Sequence, residues 1–175
     1  VIQLLIFFFL FSLNYQSVNG KLLKNFKLNY FESFSFSIVL QLNIILFLSF
    51  LNIELEKIIT KYLIINLIIF LLNIYYLISS FFDNKFLNVE FSFLFLIFLI
   101  IFFDISHDLT LTWDAEKFWF NKALNFYHGN TIESLSDIYR SHYPFFGDLI
   151  WAFFWKFSLI SNEYAGRLFF AFFYV

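Results

Sequence analysis

The chain consists of long apolar stretches separated by short polar ones. The apolar stretches cover residues 1–13, 34–53, 58–82, 86–103, 145–160 and 164–175. A helix rises about 1.5 Å per residue, so roughly 20 apolar residues cross a hydrocarbon core of about 30 Å. We therefore predict an all-α polytopic membrane protein with about six transmembrane helices.

The first and last of these predicted helices look truncated. Val1 lies inside one apolar run and Val175 inside another, so we expect the chain to be a fragment of a longer protein. An alternative for the first run is the apolar region of a secretory signal peptide, although no basic residues precede it.

The composition agrees with a membrane protein. Hydrophobic residues make up 61% of the chain and charged residues 14%, compared with roughly 45–50% and 25% in ordinary soluble domains. The net charge of -2 offers no basic surface for nucleic acid. The absence of Cys excludes disulfides, thiolate zinc sites and Cys nucleophiles. We expect membrane lipid, and no nucleic acid, as a partner.

The longest polar segment runs from Asp104 to Pro144 and divides the chain into three predicted regions. These are N-terminal transmembrane helices at 1–103, a loop at 104–144, and further transmembrane helices at 145–175. The loops on the other side of the predicted membrane are denser in lysine, at Lys21, Lys24, Lys27 and Lys85. Positive charge is typical of cytoplasmic loops, so the 104–144 loop is predicted to be extracytoplasmic.

The pattern within this loop predicts two juxtamembrane helices. Polar residues recur every three or four positions, at Asp114, Lys117, Asn121, Asn125 and His128. An apolar, largely aromatic face lies opposite them, so we expect an amphipathic helix along the membrane surface. It should end at Gly129-Asn130, where a left-handed cap is easiest. A shorter second helix is predicted around Leu135.

Asp114 is the strongest candidate for chemistry, because an ionisable group is costly to keep where a helix meets the membrane. The residues alone leave three interpretations open: a catalytic group, a helix cap, since Asp is favoured near helix N-termini, or a solvated loop charge. Glu116 and Lys117 are either substrate contacts or an ordinary surface charge pair. His142 is either a ligand contact or an interface side chain.

The order of short motifs resembles one enzyme family. An apolar helix ends at an acidic loop, and three motifs follow: Trp113-Asp114-Ala115, His142-Tyr143-Pro144 and Glu163…Arg167-Leu168. This order resembles the GT-C membrane glycosyltransferases, most of all the bacterial members related to the protein mannosyltransferases and the aminoarabinose transferases. The resemblance covers about Phe91 to Val175. Many relatives carry adjacent Asp-Glu, whereas here Ala115 separates the two acids.

The resemblance implies an enzyme that moves a sugar from a polyprenyl-phosphate donor to a lipid, glycan or protein acceptor. Asp114 takes the position of the catalytic aspartate, which would accept a proton from the acceptor as general base. The implied substrate-binding residues are Glu116, Lys117, Arg140, His142, Tyr143 and Arg167. A multi-pass location in the bacterial inner membrane is also implied.

The leaving phosphate of such a donor needs positive charge beside it. Arg binds phosphate with two parallel hydrogen bonds, so Arg140 or Arg167 is expected to supply that charge. A divalent cation is the alternative.

Two other functions are compatible with the sequence: a non-enzymatic transporter or flippase, and a polysaccharide polymerase. Transporters usually place ionisable groups near the middle of the bilayer. This chain instead concentrates its acidic residues in the 104–144 loop, which favours the enzyme over the transporter.

Overall fold

The computed structural model describes residues 30–82, 89–108, 110–159, 161–168 and 170, and this part of the chain is helical without a strand. Its helices are α1 (Tyr30–Phe50), α2 (Leu55–Phe82), α3 (Val89–His107), α4 (Phe120–Tyr127), α5 (Phe146–Ser158) and α6 (Tyr164–Arg167). A π-helical turn, Ala115–Trp119, precedes α4, and a 3-10 turn, Glu133–Asp137, follows it. The apolar run at 1–13, the lysines at 21, 24, 27 and 85, and positions 171–175 lie outside the described residues.

Within the described ranges, no helix combines the length and the apolar character needed to cross a membrane. This finding contradicts the predicted polytopic membrane protein with about six transmembrane helices, and with it the multi-pass inner-membrane location. The predicted span at 145–160 shows one physical reason. Its helix, α5, has 13 residues, which correspond to a length of only about 20 Å.

Polar side chains buried inside the protein are a second reason for the correction. Gln41 in α1 and Asn66 in α2 are both buried, and so is Asp148 in α5. Hydropathy summed along the chain does not separate burial in protein from burial in lipid, because apolar side chains favour both.

The connection between α1 and α2 is a tight reversal at Asn52. Its φ of 53° is left-handed, a conformation that Asn adopts more readily than most other non-glycine residues. Its N–H donates to the carbonyl oxygen of Ser49 at 3.0 Å. Leu48 and Leu55 are buried on either side of the turn, so the reversal allows the two helices to pack together.

Helix α5 forms the centre of the described core. Every residue from Leu149 to Trp155 is buried, and the helix packs against α1, α2, α4 and α6. The ring of Tyr62 from α2 meets that of Phe153 edge to face, with centroids 5.3 Å apart. At Gly166, a Cβ atom would collide with the backbone oxygen of Trp151. Glycine therefore permits the close approach of α6 to α5.

Lys156, near the end of α5, joins three helices. Its Nζ donates to the carbonyl oxygen of Tyr127, the last residue of α4, at 2.7 Å. The same Nζ lies 2.9 Å from Oε1 of Glu56 in α2. A positive charge at the C-terminal end of a helix is favourable, because the unpaired carbonyl groups there carry partial negative charge.

Candidate functional site

The predicted membrane-surface helix packs against protein. Ala123 and Phe126 of α4 are buried, and the ring of Tyr127 stacks on that of Trp155 in α5 with centroids 3.9 Å apart. The aromatic face is therefore the interface with α5, and the prediction that it lies along the membrane is wrong. The predicted end of the helix is confirmed, since Gly129 has a φ of 92°.

The second predicted surface helix is the short 3-10 turn Glu133–Asp137. Leu135 is its buried residue, as the apolar spacing indicated. The turn is tied to α4 by a hydrogen bond from Nδ2 of Asn125 to Oγ of Ser134 at 2.8 Å. This contact sets the path by which the chain returns to residues 139–144.

Asp114 is exposed and does not cap a helix. Its backbone is already helical, with φ -63° and ψ -43°, and its side chain makes no capping hydrogen bond. The turn around it is closed by the backbone, through the N–H of Glu116 and the carbonyl oxygen of Thr112 at 2.9 Å. The cap interpretation is therefore wrong, and the carboxylate is accessible to a ligand.

The π-helical turn directly follows Asp114. The ring of Trp113, before the turn, meets that of Phe118 within it edge to face, with centroids 5.4 Å apart. Single π-helical turns are frequent at functional sites. Glu116 and Lys117 lie in this turn with exposed side chains.

Four aromatic rings form a continuous surface beside Asp114, which we call the aromatic row: Trp113, Phe118, Tyr139 and Tyr143. Phe118 stacks on Tyr139 at 5.7 Å and packs against Tyr143 at 6.0 Å. Trp113 and Tyr139 are each 65% exposed. The row therefore presents aromatic surface to solvent next to an accessible carboxylate.

Arg140 lies on the aromatic row and has no carboxylate partner among the described residues. Its Cζ is 5.1 Å from the ring centre of Tyr139 and 5.7 Å from that of Tyr143. Its φ of 61° is left-handed, which costs a non-glycine residue roughly 1–2 kcal/mol. Such strained residues cluster at functional sites. The guanidinium is exposed and its hydrogen-bond donors are available to an anion.

Arg167, the other predicted phosphate contact, is already bound within the protein. Its Nε donates to Oε2 of Glu163 at 2.9 Å, and its Nη2 donates to Oε1 of the same carboxylate at 2.8 Å. Its Nη1 lies 3.5 Å from the carbonyl oxygen of Thr110. Arg167 therefore connects α6 to the segment before Asp114, and Arg140 is the better placed of the two to bind a phosphate.

His142 lies beside Tyr143, a member of the aromatic row. The His142 ring is exposed and meets the Tyr143 ring edge to face at 4.8 Å. Tyr143 is half-buried, and its ring also contacts Trp119 at 5.7 Å. The row is thus anchored to the helix that follows Asp114.

The sequence analysis missed a buried ionisable pair beneath the row. Lys122 in α4 is fully buried, and its Nζ donates to the carbonyl oxygen of Tyr143 at 2.8 Å. Asp148 in α5 is 3% exposed. Burial lowers the pKa of Lys122, and the nearby carboxyl group opposes this. Burial raises the pKa of Asp148 to about 8, against the opposing effect of Lys122. The sequence did contain a signal for this site, because Asp148 is a charged residue inside the apolar stretch 145–160.

A search of the described ranges finds no group of three or more His, Asp or Glu side chains placed to hold a metal ion. The sequence matches no protein-family model, no curated protein and no solved structure. The resemblance to the GT-C glycosyltransferases therefore stays a prediction from the motifs.

Proposed function

We propose that this chain carries a site for transferring a sugar from a polyprenyl-phosphate donor to a hydroxyl or amine acceptor. Asp114 is the general base, and Arg140 binds the phosphate. One observation carries the proposal. Asp114 is exposed just before a π-helical turn whose Phe118 ring packs against Tyr139 and Tyr143, and the guanidinium of Arg140, which has no acidic partner in the described ranges, lies over those same two rings. The order of motifs along the chain supports the same reaction.

The chemistry assigns a different task to each of these two side chains. A bond forms between the acceptor atom and the anomeric carbon, while the bond from that carbon to the phosphate oxygen breaks. Asp114 takes the proton from the acceptor, which makes the acceptor a better nucleophile. The phosphate leaves with its charge balanced by Arg140, whose fork of N–H groups suits two oxygens at once.

The aromatic row supplies the surface on which the sugar rests. Aromatic side chains offer large and rigid apolar area at little conformational cost. The C–H faces of a sugar ring are apolar, so a ring lying on Trp113 and Tyr139 would keep its hydroxyl groups in water. The anomeric carbon would then lie between Asp114 and Arg140.

The test of the base is Asp114→Asn, assayed with radiolabelled sugars on a short-chain polyprenyl phosphate. Asn keeps the size of the side chain but cannot accept a proton. General bases contribute about 10²–10⁴-fold to rate, so transfer should fall by at least about 10²-fold while donor binding is kept. The control is Glu116→Gln in the same turn, which should lose much less. Full transfer by the Asp114→Asn protein would remove Asp114 from the reaction.

The test of the phosphate contact is Arg140→Gln, read as binding of the same donor. A hydrogen bond to a charged group contributes about 1.5–3 kcal/mol, so donor affinity should fall by about 10- to 150-fold. Lys57→Gln is the control, because Lys57 is an exposed cation that pairs with Glu54 at 3.3 Å away from the row. Equal losses in both variants would show a general charge effect in place of a phosphate site.

A further inference from the structure

Lys122 holds the segment 139–144 from inside the protein. Among the described residues it is the largest fully buried side chain. Its ammonium donates to the carbonyl oxygen of Tyr143 and lies 5.7 Å from the ring centre of Trp119 and 5.9 Å from that of Tyr143. A buried charge is costly unless it is hydrogen-bonded or paired. The bond to Tyr143 is therefore a buried polar contact that holds this segment, in addition to the packing of Tyr139 and Tyr143 on Phe118.

Asp148 is a second acceptor that this ammonium does not use. Its Oδ2 is buried and has no hydrogen-bond partner among the described residues. No ion pair joins Asp148 to Lys122, both of which the structure describes, although each influences the pKa of the other. Lys122 thus binds a carbonyl oxygen, while the carboxyl group of Asp148, close enough to influence its pKa, is not bound by it.

We propose that Lys122 and Asp148 form a proton-controlled latch on the segment 139–144. With Asp148 protonated, the ammonium donates to the Tyr143 carbonyl and the segment is fixed. When Asp148 loses its proton to solvent, the new carboxylate competes for the ammonium, and Oδ2 becomes its hydrogen-bond acceptor. The Tyr143 carbonyl is then released, and with it the segment that carries Arg140.

The raised pKa of Asp148, about 8, sets the range in which the latch opens. The proton is held at neutral pH and lost above it. Other ionisable side chains also lie on the helices that pack against α5: Glu32 on α1, Glu56, Lys57, Lys61 and Tyr62 on α2, Tyr127 on α4, and Tyr164 and Arg167 on α6. Glu56 binds Lys156 and Arg167 binds Glu163. Lys122 is the described group whose charge acts on the Asp148 pKa.

Amide hydrogen exchange on the full chain tests the latch without any sugar substrate, so its outcome is separate from that of the proposed reaction. Amide exchange rates are measured from about pH 6.5 to 9.5 and corrected for the effect of pH on exchange in an unstructured peptide. Peptides from 139–144 are then compared with a reference peptide from α2. Protection of the segment should fall by about tenfold or more across this range, relative to the reference. In Asp148→Asn, which keeps the size of the side chain, the fall should disappear.

Two further variants make the result specific. Lys122→Met should leave the segment weakly protected from exchange at every pH, so that its protection does not fall as the pH rises. Asp137→Asn removes an exposed carboxylate from the neighbouring turn, and its segment 139–144 should lose protection with pH as in the wild-type protein. A fall in protection of equal size in Asp148→Asn, or no fall in the wild-type protein, would overturn the latch. Because Asp148→Asn needs no repacking, it carries the test even if Lys122→Met does not fold.

Discussion

Asp148→Asn measures what it costs the protein to bury a carboxyl group in its core. Asp148 lies in the first turn of α5 and is 3% exposed. Burial raises its pKa from 3.8 to about 8. Asn has nearly the same shape but cannot ionise. The substitution therefore keeps the packing and removes the dependence of stability on the charge at this position.

The sign of the effect follows from the raised pKa. The folded protein binds the proton more tightly than the unfolded chain does, so this group stabilises the fold most below about pH 4. That contribution is lost as the pH rises towards about 8, at about 1.4 kcal/mol per pH unit. Between pH 5 and pH 7 the loss is about 3 kcal/mol, or roughly 6–12 °C in Tm for a chain of this size.

The measurement is the difference in Tm between Asp148→Asn and the wild-type protein, followed by circular dichroism from about pH 5 to 8 at constant ionic strength. Groups that both proteins share cancel in this difference. The Tm of the variant relative to that of the wild type should rise by about 2–4 °C for every kcal/mol of unfolding free energy that the wild type loses. Asp137→Asn, at an exposed position, should follow the wild type throughout. A Tm difference for Asp148→Asn that does not change with pH would refute the reasoning.

Two packing contacts yield the remaining predictions. Gly166→Ala should lower the free energy of unfolding by about 1–3 kcal/mol, because the new methyl group meets the backbone of Trp151. Gly147→Ala, in α5 with open space around it, should instead raise the free energy of unfolding by up to about 1 kcal/mol. Equal effects of the two substitutions in urea denaturation would contradict the inference that Gly166 permits the close approach of α6 to α5. Lys156→Met removes the hydrogen bond to Tyr127 and should cost about 1.5–3 kcal/mol. Urea denaturation that shows no loss would mean that this bond does not stabilise the fold.

The sequence predicted the local features of the loop better than the environment of the helices. Gly129 ends α4, and Leu135 faces inward, because both follow from local spacing and backbone preference. The environment of α5 is decided by its neighbours. Asp148 and Lys156 interrupt its apolar run, but the burial of Asp148 and the partners of Lys156, Tyr127 in α4 and Glu56 in α2, depend on other helices. Spacing along one segment carries no information about such contacts.

The sequence did contain a signal for choosing between Arg140 and Arg167 as the phosphate contact. Glu163 and Arg167 are four residues apart, which places them side by side on a helix. That spacing favours the bidentate pair seen in the structure, which leaves Arg140 without an acidic partner in the described region. The position of Arg140 on the aromatic row could not be predicted, because it depends on contacts of Tyr139 and Tyr143 with Phe118, which lies in a different segment of the chain.

The stacked rings of Tyr127 and Trp155 also give the contact between α4 and α5 an optical signal. Trp155 is buried and its ring lies parallel to that of Tyr127 within 19°. Light absorbed by Tyr127 is therefore passed efficiently to this indole, and the Trp155 emission excited through Tyr127 decreases when the two helices separate. Trp113 is mostly exposed and emits at the longer wavelength of an indole in water. Among the four tryptophans of the chain, Trp155 thus reports on the contact between α4 and α5, and Trp113 on the exposure of the aromatic row.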